Sequence, residues 1–414
     1  MKPQAPVVPG GPSALVVTAL ALPLLLASLG TSIANVALPT LAEAFAVPFS
    51  AVQWVATAYL AAMTVATVLV GRLADVLGHR HVLVASLAVF AAASLLAGVA
   101  PNLTWLVAAR TVQGAGAAAL MTLAMTLMRE VAGDKGVGRG MGLLGTVSAV
   151  GTALGPALGG ALLPVAGWHA LFLVQVPLAA VALALAVIAL PRAVPAAPDA
   201  AGRPWSAFDS SLALTLLVNL VIAAVMMSTL VVGPFYLSLG LALSAAHVGL
   251  VMAVGPALAI FSGAPAGRLV DAWGAGLARR LGLIMMAAGA ALLAFAPQAH
   301  GVAGYVLALI VLTPGYQLTQ AANNTAAMLD VTRARRGTVS GLLALSRNVG
   351  LVTGASGLGA LFSLAVGDPD VASASATAIA SGMRWTFLAA AGVLAVALGV
   401  VGVRRGGPVV RDPG

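Results

Sequence analysis

Cysteine is missing from this chain altogether, so neither a disulfide nor a thiolate-held metal belongs to its design. Acidic residues number 11 among 414, and all charged residues together make up 7%. That is too little charge to cover a water-soluble globule of this length. No histidine cluster has metal-ligand spacing, no Ser or Cys sits in an activated arrangement, and no phosphate-binding loop or soluble signalling domain is present. The chain is therefore not expected to be an enzyme, and no cofactor or metal is expected. The apolar stretches also lack the residue-by-residue alternation of a membrane β-barrel.

What remains is hydrophobic: 61% of the residues are apolar, with a mean hydropathy of +1.06. Long runs of Ala, Leu, Val and Gly of this kind cross a bilayer as helices that satisfy their own backbones. At roughly 20 residues per span plus short loops, the length predicts about twelve helices, an all-α integral membrane protein. The basic excess, a formal +9, falls on one side when spans are counted from a cytoplasmic amino terminus. Arg72, Arg80, Arg129, Lys135 and Arg139 lie there, as do Arg268, Arg279, Arg280, Arg333, Arg335 and Arg336 in the second half, while the other side keeps little beyond Arg384. This asymmetry predicts both termini in the cytoplasm. A nucleic-acid partner would need a clustered basic surface and is not expected.

One stretch occurs twice. GRLADVLGHR, from Gly71 to Arg80, returns as GRLVDAWGAG from Gly267 to Gly276, each between two apolar runs. Each is expected to be a tight turn: Gly71 and Gly78 permit a reversal, and Asp75 either caps a helix or pairs with Arg72 or Arg80. Arg268, Asp271 and Gly274 repeat the pattern in the second copy. The duplication predicts two six-helix halves, residues 13–190 and 208–403. A Pro/Ala-rich cytoplasmic linker at 191–207 joins them, with tails at 1–12 and 404–414.

Several spans carry polar groups that lipid does not tolerate. Asn35 in the first needs a helix partner, cavity water or a substrate, and Tyr59 stands in the second. Arg110 lies about one and a half turns into the fourth at 3.6 residues per turn, so it faces the protein interior or a wet cavity, with Gln113 on nearly the same helix face. Tyr316, Gln317, Gln320, Asn323 and Asn324 make the tenth span the most polar, and Arg347 lies about 15 Å into the eleventh at 1.5 Å per residue. In the fifth span Gly151, Gly155 and Gly159 recur every four residues around Pro156, with Gly160 beside them, which gives a flat side for close helix packing and a proline expected to bend it. Gly142, Gly151 and Gly155 have counterparts at Gly341, Gly350 and Gly354.

These residues together resemble the major facilitator superfamily, and within it the drug:proton antiporters. The likeness rests on GRLADVLGHR between the second and third spans, RTVQGAG in the fourth, GTALGPALGG in the fifth, and TSIANVALP with QWVATAYLAA in the first two. The last pair is closest to the fourteen-helix branch, yet only the Pro/Ala linker occupies the place of that branch's two extra helices. The resemblance implies a monomeric inner-membrane exporter of small organic compounds or drugs that works by alternating access, with a proton gradient as driving force. It also implies a latch at Asp75 with Arg72 or Arg80, coupling near Arg110 and Gln113, and a cavity lined from Asn35, Tyr59 and the polar residues of the tenth and eleventh spans.

Two positions depart from the family pattern. His79 stands where Arg is usual, and Gly30 stands where the branch carries an Asp in the first helix. No Asp or Glu falls near the middle of any span, although a buried group that changes charge is the usual means of coupling protons to transport. An uncoupled facilitator or organic-anion carrier is therefore the alternative reading, and a membrane sensor without transport a more distant one.

Overall fold

The computed structural model describes residues 13–190, 210–328, 336–367, 371 and 373–403, with the side chains of Asp75, residues 129–130, 132–142, 145, 210, 336–338, 340 and 403 left outside the description. The expected linker and both tails lie outside it as well. Every regular element among the described residues is helical. The membrane-length segments are α1 (Ala14–Phe45), α2 (Phe49–Ala74), α3 (His79–Gly98), α4 (Leu103–Met128), α5 (Thr146–Ala166), α6 (His169–Ala189) and α7 (Ser211–Gly240). The next stretch, Ala245–Met328, is too long for one span and breaks at Gly274 and Gly301, which have non-helical backbones with φ 77° and 53°. It thus supplies α8 (245–273), α9 (275–300) and α10 (302–328). α11 (Gly341–Val366) and α12 (Ala376–Gly402) complete twelve.

The repeated stretch is tighter than its ten residues suggest. Helix Trp54–Leu77 runs straight through Gly71, and the whole reversal falls on Gly78, at φ 86° and ψ 137°. Gly274 adopts nearly the same conformation, φ 77° and ψ 151°. Both lie in the left-handed region that a Cβ disfavours. The expectation that Gly71 shares in the reversal is corrected here: it is a helix-interior residue with open space where a side chain would go, as is Gly267. Nor does a side chain cap the following helix, since Gly78 itself is the N-cap of His79–Gly98 without a side-chain bond.

The described residues group into two compact units. The first takes those up to Val47, those between Ala51 and Ala201, and Ser244–Ala253; the second takes Pro48–Ser50, those between Gly202 and Leu243, and those from Val254 on. Within the first unit the glycine face of α5 lies on α1. A Cβ built on Gly151 would stand 2.7 Å from the Leu25 carbonyl oxygen, and one on Gly155 would collide with the Ser32 hydroxyl and come within 2.8 Å of the Ile33 nitrogen. Ser28 of α1 and Ser148 of α5 share a 2.7 Å hydrogen bond along the same seam. Gly159 rests against Ile33 and Val36, and Gly160 meets Gly249, in the short segment that groups with this unit, backbone to backbone. Pro156 sits inside a helix that continues through it.

The second unit repeats this seam with α11 on α7. A Cβ on Gly350 would strike the Leu220 carbonyl and one on Gly354 the Ala224 carbonyl. Asn219 of α7 donates to the Leu343 carbonyl at 2.7 Å and to the Ser346 hydroxyl at 2.9 Å. The glycine echo between the fifth and eleventh spans is thus one packing solution used twice.

Both seams leave no room for a side chain. Gly155→Leu and Gly350→Leu are each expected to cost at least about 1–3 kcal/mol through overpacking and to abolish or uncouple transport while insertion persists. Gly71→Ala, pointing into open space, should be neutral. Thermal unfolding in detergent together with flux in proteoliposomes reads both quantities, and normal flux in Gly155→Leu would show that this face does not carry the packing.

Candidate functional site

The largest fully buried side chain in the first unit is Arg110, at 0% exposure. α4 starts at an Asn102 cap that accepts from the Trp105 nitrogen at 2.9 Å, and Arg110 follows about 11 Å further along at 1.5 Å per residue. A guanidinium cannot shed its charge at that depth, so each face needs an acceptor. Its Nε donates to the Val55 carbonyl at 3.0 Å, Nη2 to the Gly30 carbonyl at 2.9 Å and Nη1 to Gln113 Oε1 at 2.6 Å. The Tyr59 ring lies under the guanidinium at 4.1 Å, a cation–π contact in a desolvated setting. The Tyr59 hydroxyl donates to the Ala27 carbonyl at 2.8 Å.

Local sequence explains why the Gly30 carbonyl accepts a side chain. The first helical piece of α1 ends at Ser32, a short 3-10 turn covers Asn35–Ala37, and a new helix starts at Leu38 with Pro39 in its first turn. Pro39 has no N–H and crowds the carbonyl four residues back, which interrupts the helix. Gly30 lies in the last turn of the piece that ends at Ser32, where carbonyls run out of intrahelical donors and the helix dipole is negative. Arg110 caps that end. Gly30 also makes the fit possible, since a Cβ there would stand 2.8 Å from the Tyr59 hydroxyl.

Gln113 passes the network onward. Its Nε2 donates to Ser94 Oγ at 2.7 Å and Gln175 Oε1 at 3.3 Å, and Gln175 Nε2 donates to the Leu171 carbonyl at 2.9 Å. All three are fully buried. One cluster thereby ties α1, α2, α3, α4 and α6. Ser94 and Gln175 are the members that the residue pattern left unflagged. Gln175 had a signal, as a lone amide in LFLVQVPLAA, while Ser94 had none, because a serine can bond its own helix, as this one does to Phe90.

The other candidates are more scattered. Asn35 is buried and its Nδ2 donates to the Thr31 carbonyl at 3.2 Å, while its Oδ1 has no hydrogen-bond partner among the described residues. Arg80 donates to the Val187 carbonyl at 2.7 Å, Arg72 is exposed, and the Asp75 side chain is outside the description. Arg268 and Asp271 are exposed. In the second unit Asn323 is buried and donates to the Thr215 carbonyl at 2.8 Å, and Gln317 donates to the Ala259 carbonyl at 2.9 Å. Gln320 donates to Asn324 at 3.2 Å. Tyr316 is half-buried and Arg347 exposed. Glu43 and Asp271, the acids whose side chains are described, are both exposed near the ends of their segments.

Twelve apolar helices among the described residues, in two glycine-seamed units with charge and amides held inside them, define a polytopic membrane protein. The family model of the Major Facilitator Superfamily matches residues 20–355, and the chain belongs to that superfamily. It is 30% identical over 393 residues to an uncharacterized transporter, YebQ, of Escherichia coli (strain K12), across 80% of this chain and 85% of that one. It is 36% identical over 176 residues to the methylenomycin A resistance protein of Bacillus subtilis (strain 168), 42% of this chain and 37% of that protein. The solved nucleoside transporter NupG shares the fold at a TM-score of 0.76 and 13% identity, covering 96% of this chain and 100% of its own.

Gln113→Leu removes the acceptor of Arg110 Nη1 and is expected to destabilise the protein by about 1–3 kcal/mol, the cost of an unsatisfied buried group. Gln113→Glu keeps an acceptor beside the guanidinium and should lose clearly less. Intrinsic fluorescence during thermal unfolding of the purified protein ranks the two, and equal stability would mean that the Arg110–Gln113 bond carries no weight.

Proposed function

We propose that this transporter exports a small organic compound, neutral or acidic, from the cytoplasm across a bacterial inner membrane by alternating access of its two halves. The observation that carries the charge preference is Arg110, satisfied by two carbonyls and an amide at the place where the antiporter branch has a first-helix Asp and this chain has Gly30. A monovalent cation in a poorly hydrated cavity is stabilised by a nearby anion worth about 4 kcal/mol at 4 Å and an effective dielectric of 20. No acid stands mid-span to supply it. Export is supported by the fifth-helix glycine pattern and by the resistance protein among the relatives. The proton gradient is the driving force, the protein acts as a monomer in the bilayer, and both termini and the 191–207 linker face the cytoplasm.

The same missing carboxylate favours a second reading, an uncoupled facilitator or organic-anion carrier. Counterflow in proteoliposomes with and without a pH gradient separates the two: antiport responds to the gradient and facilitation does not. The topology has its own test in this cysteine-free chain. A single cysteine replacing Ala197 should be silent to an impermeant thiol reagent added outside intact cells, and labelling there would invert the assignment.

Charge selectivity is tested by paired efflux of a cationic dye and of a neutral or acidic compound. The wild type should favour the latter, and Gly30→Asp should raise cation export. Because a side chain at Gly30 crowds the Tyr59 hydroxyl, the double variant Gly30→Asp/Tyr59→Phe should show the gain more fully. Efficient cation export by the wild type, unimproved in either variant, would sink the preference.

A further inference from the structure

Two of the described residues other than glycine have a backbone in the left-handed region, Ala46 at φ 49° and Ala242 at φ 52°. They occupy the same place in the two halves. Ala46 lies in AVPF, between α1 and the start of α2 at Phe49, and Ala242 lies in ALSA, between α7 and the start of α8 at Ala245. Each bends the chain back on the helix it leaves: the Val47 amide donates to the Ala42 carbonyl at 3.0 Å, and the Leu243 amide to the Leu237 carbonyl at 3.0 Å. Glycine takes this conformation freely, whereas a Cβ makes it costly for alanine. Both alanines are exposed, so no burial of their methyl groups offsets the strain.

The segment that follows each strained alanine leaves the company of its own half. Pro48–Ser50 groups with the second unit, and Ser244–Ala253 with the first. Phe49, only 1% exposed, enters a buried aromatic seat there. Its ring meets Phe235 of α7 edge-on at 4.7 Å and Phe362 of α11 edge-on at 5.3 Å, contacts that add attraction beyond the area they bury. In the first unit Gly249 lies so close to α5 that a Cβ on it would stand 2.5 Å from the Pro156 carbonyl oxygen and 2.6 Å from the Gly160 Cα. Strained backbone persists where the surroundings over-determine it, and these two seats do so. Alternating access moves one half against the other, so a segment that belongs to one half by chain and to the other by contact has to leave its seat during the cycle.

We propose that the two connections are the arms of one spring-loaded catch, seated at Phe49 and Gly249 against the strain at Ala46 and Ala242 and released together, an inference that rests on the alternating-access reading. Deuterium exchange of the full-length protein in detergent, read by mass spectrometry on the peptides that contain Val47 and Leu243, reports the opening of each arm. Phe49→Ala empties one seat and should speed exchange at least about fivefold in both peptides, although only the first connection is altered. Ala46→Gly releases the strain while leaving the seats intact. It should slow exchange in both peptides once the intrinsic rate of the new neighbour is allowed for. Should Phe49→Ala fail to fold, Phe49→Leu keeps the bulk, loses the edge contacts and serves in its place. Faster exchange confined to the Val47 peptide in the Phe49 variant, or exchange in Ala46→Gly that is not slowed, would overturn the proposal, because the alanines would then carry only local loop strain. The measurement needs no substrate, gradient or sidedness, so its outcome stands apart from that of the transport reading, which flux and labelling at Ala197 decide.

Discussion

A guanidinium drawn out of water forfeits several kcal/mol of hydration, and in this transporter the first half is arranged around one that cannot be given up. Arg110 holds a broken helix end, a carbonyl of a second helix, an amide of its own and an aromatic face. Each contact needs a neighbour in a fixed position: the helix end at Ser32 that puts the Gly30 carbonyl in a last turn, the bare Gly30 that lets Tyr59 close in, the buried Ser94 and Gln175 that hold Gln113. Removing any of them leaves the charge partly bare. The network stabilises the unit less by its own net energy than by the penalty that would follow from its loss.

Around this polar centre the packing is done by absence. α5 lies on α1, and α11 on α7, with glycines at the contact points, because lipid offers no hydrophobic reward for burying larger side chains and van der Waals contact between backbones takes its place. Each seam also carries polar bonds, Ser28 with Ser148 in the first half and Asn219 with the Leu343 carbonyl and Ser346 in the second. Both halves bury amides, and among the described residues the first adds a fully buried guanidinium.

Much of this can be read from residue order alone. Length and hydropathy indicate twelve spans, the two GRL stretches indicate duplication, and an arginine within an apolar run has to face inward. The four-residue glycine spacing marks a packing face. What residue order does not reveal is which groups meet. Val55 and Gly30 contribute carbonyls, which every residue possesses, so nothing in their identity marks them as partners of Arg110. Both Gly71 and Gly78 are able to reverse a chain, and only the backbone shows that Gly78 alone does.

The order in which the partners of Arg110 occur along the chain bears on biogenesis. Gly30 and Val55 belong to helices synthesised before α4, so when the ribosome delivers Arg110 its two carbonyl acceptors are already in the membrane or at the insertion site. Its Gln113 acceptor arrives three residues later on the same helix. An arginine that would resist insertion as a lone helix can thus enter against a waiting surface. The last member, Gln175, comes only with α6, so the network closes when the sixth helix of this half is in place.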